Sequence, residues 1–201
     1  ESKGVKTIVL DPYLYNDLYL HIEKFIVESI GFDVGGRMHT GRSRNDLYMA
    51  VWRMFLRDRV LEVLGELILL QKTILDFAEK HVETVMPGYT HSQHAQPITL
   101  AHYMLAISDA FGRDMKRLME AYKVVNLSPM GAGALATTGF TIDRKRVAEL
   151  LGFDAILKNA YDAVASRDDV AEVISVLAIM MTNLSRLCQD LGLWNTYEYA
   201  M

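Results

Sequence analysis

The sequence predicts an all-α fold built from long helices. Long stretches repeat apolar residues every three or four positions, the spacing that places them on one face of an α-helix. Only four prolines occur in 201 residues, so few positions interrupt a helix. One short run, Thr7 to Leu10, has the composition of a strand, and it ends at Asp11-Pro12.

The composition excludes several classes of protein. Hydrophobic residues make up 51% and charged residues 23%, which is typical of a folded globular chain and not of a disordered one. The net charge is −4 and no basic run occurs, so we expect no nucleic-acid partner. No stretch approaches the ~18 unbroken apolar residues of a membrane span, so no membrane partner is expected. The single cysteine, Cys188, excludes an internal disulfide and favours a reducing, cytoplasmic location.

The first two helices are bounded by glycine-rich and polar segments. A helical pattern begins near Asn16 and ends at Ile30, where several glycines follow. A second pattern starts after Asp46 and ends near His81. Its wide apolar stripe predicts a helix that is long for a globular protein.

Two further helices follow. We expect the third from Thr99 to about Val125, with Pro97 as a proline of its first turn. A short helix from Asp143 to Leu151 precedes Gly152, a suitable residue for a C-terminal cap.

The last helix runs from about Ser166 to Leu191. Its apolar residues repeat in near-heptad fashion and cover more than a narrow stripe, so we expect helices on several of its sides. The pair Met180-Met181 is assigned to the core. We divide the chain into an N-terminal helical part, residues 1–90, and the start of a central helical bundle, residues 91–201.

A polar block, HTGRSRND, immediately precedes the first long helix. Ser43 followed by Asp46 fits a capping box, and a helix N-terminus presents unpaired N–H groups. Arg42 and Arg44 add guanidinium groups that suit carboxylate or phosphate, and Asn45 can donate and accept. The block therefore suits an anion with a polar neighbour. The alternative is an ordinary capped helix whose arginines lie in solvent.

A second polar block, MPGYTHSQHAQPIT, contains histidines that can transfer protons near neutral pH. His91 and His94 have HxxH spacing, but no third ligand at helical spacing accompanies them, so we predict no metal site. The alternative is a structural histidine near a helix start.

The glycine-rich loop SPMGAGALATTGF does not match a phosphate-binding loop, and its small residues favour tight turns or packing beneath helices.

These blocks occur together and in a fixed order: GGRMHTGRSRND, PGYTHSQHAQPITLAHYMLA, SPMGAGALATTGFTIDRKRVAELLGF and ASRDDVAEVISVLAIMMTNLSRLCQDL. From about Asn16 to Leu193 the chain resembles the argininosuccinate lyases, members of the superfamily that includes δ-crystallin, fumarase, aspartase and adenylosuccinate lyase. The resemblance implies a long-helix bundle that assembles as a homotetramer. It also implies a β-elimination in arginine biosynthesis that splits argininosuccinate into arginine and fumarate.

The resemblance assigns roles to particular residues. It implies that a small-molecule substrate is bound by Ser43, Arg44, Asn45, Thr90 and Arg167. His91 would be the catalytic histidine that takes part in proton transfer. We expect His91 to lie beside the Ser43–Asn45 block, on a neighbouring subunit. No metal or organic cofactor is implied.

The chain departs from the family pattern in several places. The family's mobile loop, GSSxMPxKxNP, supplies a serine and a lysine, and we expect this chain to be a truncated form that ends before it. Such a chain should release little fumarate by itself. Leu47 replaces the usual glutamine, and only Asp17 remains of an acidic stretch. Two alternatives therefore stay open: a lyase for another N-substituted aspartate, and a non-catalytic helical scaffold or assembly partner.

Overall fold

A computed structural model gives the fold and describes residues 18–199. The helices are α1 (Leu18–Ile30), α2 (Phe32–Gly35), α3 (Arg44–Glu79), α4 (Leu100–Val125), α5 (Arg144–Leu150), α6 (Ala160–Ala165) and α7 (Asp168–Trp194). The short strands are β1 (Val85–Thr90), β2 (Gln93–Thr99), β3 (Leu127–Ser128) and β4 (Ala155–Ile156). The predicted long-helix fold is confirmed. The strand predicted at Thr7 to Leu10 lies outside the described residues.

The described chain divides into two compact units. Unit 1 comprises the described residues up to Val51 together with Ser128–Ala165. Unit 2 comprises Trp52–Leu127 and the described residues from Ser166 onward.

The core of unit 2 is formed by one face each of α3, α4 and α7. Phe111 and Leu118 of α4 are fully buried there, and Val60 of α3 and Val173 of α7 are nearly so. Thr99 caps α4, because its hydroxyl accepts a hydrogen bond from the backbone N–H of His102 at 3.1 Å. The predicted start of this helix at Thr99 is therefore confirmed.

A β-hairpin occupies the segment where the sequence predicted only a polar block and a helical first turn. Strands β1 and β2 pair antiparallel, and Pro97 lies opposite Pro87. The assignment of Pro97 to a helix was therefore wrong. His91 and Ser92 form a two-residue turn with φ angles of 51° and 59°, as a type I′ turn requires. A two-stranded ladder has only edge strands, which tolerate a proline without a backbone N–H.

Two short strands were also not predicted. Strands β3 and β4 pair with each other, and the backbone N–H of Leu157 donates to the carbonyl of Ser128 at 2.9 Å. Helix α5 was predicted correctly. Asp143 caps its start, since its side chain accepts a hydrogen bond from the backbone N–H of Arg146. Gly152 follows it with a φ of 71°.

Helix α7 leaves much of its apolar surface exposed. Met180 packs against the core of unit 2, but Met181 is 53% exposed, so its assignment to the core of this chain was wrong. The near-heptad pattern places apolar residues on several sides of α7. Within this chain only one of these sides packs against other helices. Among the described residues, α7 is the one helix that meets the length and composition of a membrane span, with a mean hydropathy of 1.5. Core helices of soluble proteins meet the same criterion.

Candidate functional site

The start of α3 is organised by side chains of the HTGRSRND block. The backbone N–H of Ser43 donates to Oδ1 of Asp46 at 3.1 Å, which is the carboxylate half of the predicted capping box. The Ser43 hydroxyl accepts from the backbone N–H of Asn45 at 3.2 Å. The Ser43 hydroxyl thus accepts from the N–H two residues after it, whereas in the standard box it accepts from the N–H three residues after it.

Asp46 also fixes the glycine-rich loop that follows β3. Its carboxylate is fully buried. Oδ2 accepts hydrogen bonds from the backbone N–H groups of Gly131 at 3.1 Å and Gly133 at 2.9 Å. Beside it, Nδ2 of Asn45 donates to the carbonyl of Ala134 at 3.0 Å. The polar block and the loop therefore meet along a continuous set of hydrogen bonds.

An open depression of about 550 Å³ lies between the polar block and the loop. The block contributes Arg42, Ser43, Arg44 and Asn45, and the loop contributes Gly133, Ala134, Thr137 and Thr138. Two guanidinium groups, hydroxyls and an amide line this depression. Such donors suit a carboxylate-bearing small molecule. Residues of the block that the sequence predicted as an anion site therefore line one depression of unit 1.

Two glycines of the loop are required by its backbone path. Gly131 has a φ of 80°, and a Cβ there would lie 2.5 Å from Cγ of Arg144. Gly133 has a φ of 64°, and a Cβ there would lie 2.7 Å from the carbonyl oxygen of Thr137. Thr137 itself has a φ of 68°, although it is not a glycine. The loop therefore combines close backbone approach with one strained residue at the pocket.

Thr90 and His91 lie at the tip of the β1–β2 hairpin in unit 2. The His91 side chain is exposed, and its backbone is left-handed. Thr90 and Ser92 line a separate cavity of about 470 Å³, together with Tyr103 and Asp190. The hairpin therefore presents its histidine outward, away from the packed core of unit 2.

The second histidine of the hairpin, His94, has a partner within the hairpin. Nε2 of His94 lies 3.2 Å from the Tyr89 hydroxyl, so this ring has a hydrogen-bond partner. Within residues 18–199, no group of three or more His, Cys, Asp or Glu side chains is arranged to hold a metal ion.

Arg167 occupies the N-cap position of α7 in unit 2, where the sequence predicted the helix to start. Its Nη1 donates to the carbonyl of Ser166 at 2.8 Å. The Ser166 hydroxyl donates to Oδ1 of Asp168 at 2.6 Å, and this hydrogen bond lowers the pKa of the Asp168 carboxyl.

The next residue, Asp169, is fully buried. Its Oδ2 lies 3.5 Å from Nη2 of Arg53. Nη1 of Arg53 donates to the carbonyl of Val124 at 2.9 Å. Arg53 of α3 therefore links the start of α7 to the end of α4.

The structure brings Ser43, Arg44 and Asn45 together in one pocket of unit 1. Thr90, His91 and Arg167 belong to unit 2. Sequence reasoning missed the tie between Asp46 and the loop, because the donors and acceptor are 85 and 87 positions apart. Asp46 was assigned only to a capping box, and the loop glycines offered no pattern that named their partner.

Comparison with known proteins identifies related chains. The sequence profile of the family described as Lyase matches residues 17–201. An argininosuccinate lyase of Methanocaldococcus jannaschii is 51% identical over 199 residues, which cover 99% of this chain and 41% of the relative. An argininosuccinate lyase of Methanosarcina mazei is 49% identical over 187 residues, 93% of this chain and 38% of the relative. The chain thus spans about 40% of the length of these curated relatives.

A solved structure is similar in both fold and sequence. A crystal structure of EDDS lyase in complex with formate matches with a TM-score of 0.88 and 44% identity, over 90% of this chain and 36% of that one. The resemblance to argininosuccinate lyases that the motifs indicated is confirmed by these relatives. The family match over residues 17–201 shows that this chain belongs to the lyase family.

Proposed function

We propose that the protein containing this sequence is a carbon–nitrogen lyase that splits argininosuccinate into arginine and fumarate, a reaction of arginine biosynthesis. The observation that supports this most directly is the donor-lined pocket at the start of α3, which combines Ser43, Arg44 and Asn45. Its residues belong to a chain that is about half identical to argininosuccinate lyases.

The chemistry explains why such a pocket is needed. A base removes a proton from the carbon next to a carboxylate, and negative charge then accumulates on that carboxylate. The bond between the neighbouring carbon and the guanidinium nitrogen then breaks, and its electron pair leaves with the nitrogen. The nitrogen takes up a proton, which releases arginine and leaves the double bond of fumarate. Fixed donors aimed at the carboxylate lower the barrier, because they stabilise the charge that develops. Arg44, Ser43 and Asn45 supply guanidinium, hydroxyl and amide donors for this purpose.

His91 takes part in the proton transfer in this proposal. Its imidazole is exposed at the tip of the hairpin, so a substrate can reach it. Thr90, the adjacent residue, contacts the substrate, and Arg167 binds a further anionic group. The proposed elimination calls on acid–base groups of protein side chains and on no metal or organic cofactor.

The substrate site is completed by assembly in this proposal. We assign His91 and the Ser43–Asn45 block of one site to different copies of the chain in a homotetramer. The exposed apolar side chains of α7 support association, since Ile174 is 60% exposed and Met181 is 53% exposed. A cytoplasmic location agrees with the single free cysteine, Cys188.

Fumarate release tests the proposal directly. The protein encoded by the complete reading frame that contains this chain is incubated with argininosuccinate, and fumarate and arginine are both quantified. We expect equal amounts of the two products. N-Substituted aspartates with other amines are tested in parallel. A preference for one of these would reassign the substrate, and no product from any of them would favour the scaffold alternative.

A further inference from the structure

The carboxylate of Asp46 is placed beneath the pocket of unit 1 and not in it. Its side chain is fully buried, so it cannot touch a ligand that enters from solvent. It is absent from the residues that line the depression, although Ser43, Asn45 and Gly133 line it on either side. A role in the chemistry of this site must therefore act through its neighbours.

Asp46 accepts three backbone hydrogen bonds that come from both walls of the pocket. One donor is the N–H of Ser43 at 3.1 Å, from the wall formed by residues 42–45, here called the block wall. The other donors are the N–H groups of Gly131 at 3.1 Å and Gly133 at 2.9 Å. They belong to the wall formed by residues 131–138, here called the loop wall. A carboxylate can accept all three, whereas most neutral side chains of this size cannot.

The loop wall needs such a tie, because it holds one non-glycine residue, Thr137, in a strained left-handed backbone. Gly131, Gly133 and Thr137 all have left-handed φ angles, of 80°, 64° and 68°. A threonine in this region is held there only when surrounding contacts over-determine it. Strain of this kind clusters at ligand sites, and Thr137 and Thr138 both line the depression.

We propose that Asp46 is a positioning residue that holds the Gly131–Thr138 loop as the second wall of the substrate site, with Thr137 on its ligand-facing side. The inference rests on the proposed function for the identity of the substrate, a dicarboxylate. In this arrangement the block wall binds the carboxylate, and the loop wall limits how the substrate can sit beside it.

The test compares Asp46→Asn with Asp143→Asn in the protein of the complete reading frame. Asparagine has the same shape, but it offers one acceptor oxygen and turns an NH₂ group toward N–H donors. Asp143 is a matched control in the same unit, since its exposed carboxylate accepts one backbone N–H at the start of α5 and lines no pocket described here. Binding of fumarate alone is measured by calorimetry, and exchange of the Gly131 and Gly133 amide hydrogens is measured by mass spectrometry or NMR.

We expect Asp46→Asn to speed exchange at both glycines and to weaken fumarate binding at least ~tenfold, while Asp143→Asn changes neither. The KM for argininosuccinate should rise in parallel, whereas a loss of folded protein alone would lower the apparent kcat and leave KM unchanged. Faster exchange with unchanged fumarate affinity and KM would overturn the positioning role.

A second variant keeps the test decisive if Asp46→Asn does not fold. Thr137→Gly removes the ligand-facing side chain and suits the left-handed backbone, so it should fold at least as well as the unchanged protein. We expect its fumarate affinity to fall at least ~threefold, and an unchanged affinity would contradict the loop-wall assignment.

Protein that binds fumarate but makes none from argininosuccinate would refute the proposed function and leave both binding comparisons valid. For a protein that makes fumarate but binds none measurably, KM decides, and an unchanged KM in Asp46→Asn would overturn the positioning role without touching the proposed function.

Discussion

Nη2 of Arg53 lies 3.5 Å from Oδ2 of Asp169, and both side chains are almost completely excluded from solvent. The same guanidinium donates through Nη1 to the backbone carbonyl of Val124. One side chain of α3 thus joins the end of α4 to the start of α7. Arg167, which we assign to the substrate site, lies two positions before Asp169 along the chain.

Breaking this pair should strongly destabilise the protein. Asp169→Ala leaves the Arg53 charge buried without its carboxylate, and we expect a loss of about 3–5 kcal/mol in the free energy of unfolding. The control is Asp168→Ala, which removes a neighbouring carboxylate that is exposed. Urea denaturation at fixed protein concentration gives both values. A loss of stability no larger than that of the control would show that the buried pair is not a structural tie.

The helices were predictable because their apolar residues repeat with helical spacing. Thr99 and Asp143 also marked helix starts correctly, since hydroxyl and carboxylate caps are local signals. The hairpin was missed because Pro87 and Pro97 disfavour a strand, and only their pairing on edge strands removes the penalty.

The Asp46 tie could not be predicted for a different reason. The polar block alone identified Ser43, Arg44 and Asn45 as one local cluster, and the structure keeps them together. A long-range hydrogen bond to Gly133 leaves no periodic trace in a single sequence, because it depends on how the loop folds back.

Replacing His91 should separate catalysis from binding. We expect His91→Asn to lower kcat about 10²–10⁴-fold with a small change in KM, because proton transfer is lost and shape is largely kept. Asparagine also tolerates the left-handed backbone at this turn, where φ is 51°. The matched control is His94→Asn on the same hairpin. Equal losses in the two variants, measured by steady-state fumarate release, would argue against a specific role for His91.

Arg44→Leu should act mainly on substrate binding. It removes a guanidinium from the pocket of unit 1, and hydrogen bonds to charged groups contribute about 1.5–3 kcal/mol each. We therefore expect the KM for argininosuccinate to rise about tenfold or more. Arg146→Leu removes an exposed arginine that pairs with Glu149 on α5, and it should leave KM unchanged. If KM rises equally in both, general loss of positive charge explains the effect.

Ionisation of Tyr103 should lower the stability of unit 2 at alkaline pH. Burial raises the pKa of its phenol, and so does the hydrogen bond that its hydroxyl donates to Asp190 at 2.5 Å. The unfolded state then loses this proton first, so the stabilisation is complete below a pH of about 10 and declines as the pH rises above it. In Tyr103→Phe we expect a flatter decline in the denaturation midpoint above that pH. An identical decline in both proteins would assign the pH dependence to other groups.

The exposed apolar face of α7 should mediate self-association. Met181 is 53% exposed and Ile174 60% exposed, and exposed apolar patches of this kind usually mark interfaces. Sedimentation at micromolar concentration should therefore show dimers or tetramers. Met181→Asp should shift the distribution toward monomer, because an unpaired charge would be buried at the contact. Met181→Leu keeps the apolar contact and should leave the distribution unchanged. A monomer at every concentration, or a Met181→Asp protein that assembles normally, would exclude this face of α7 from the interface.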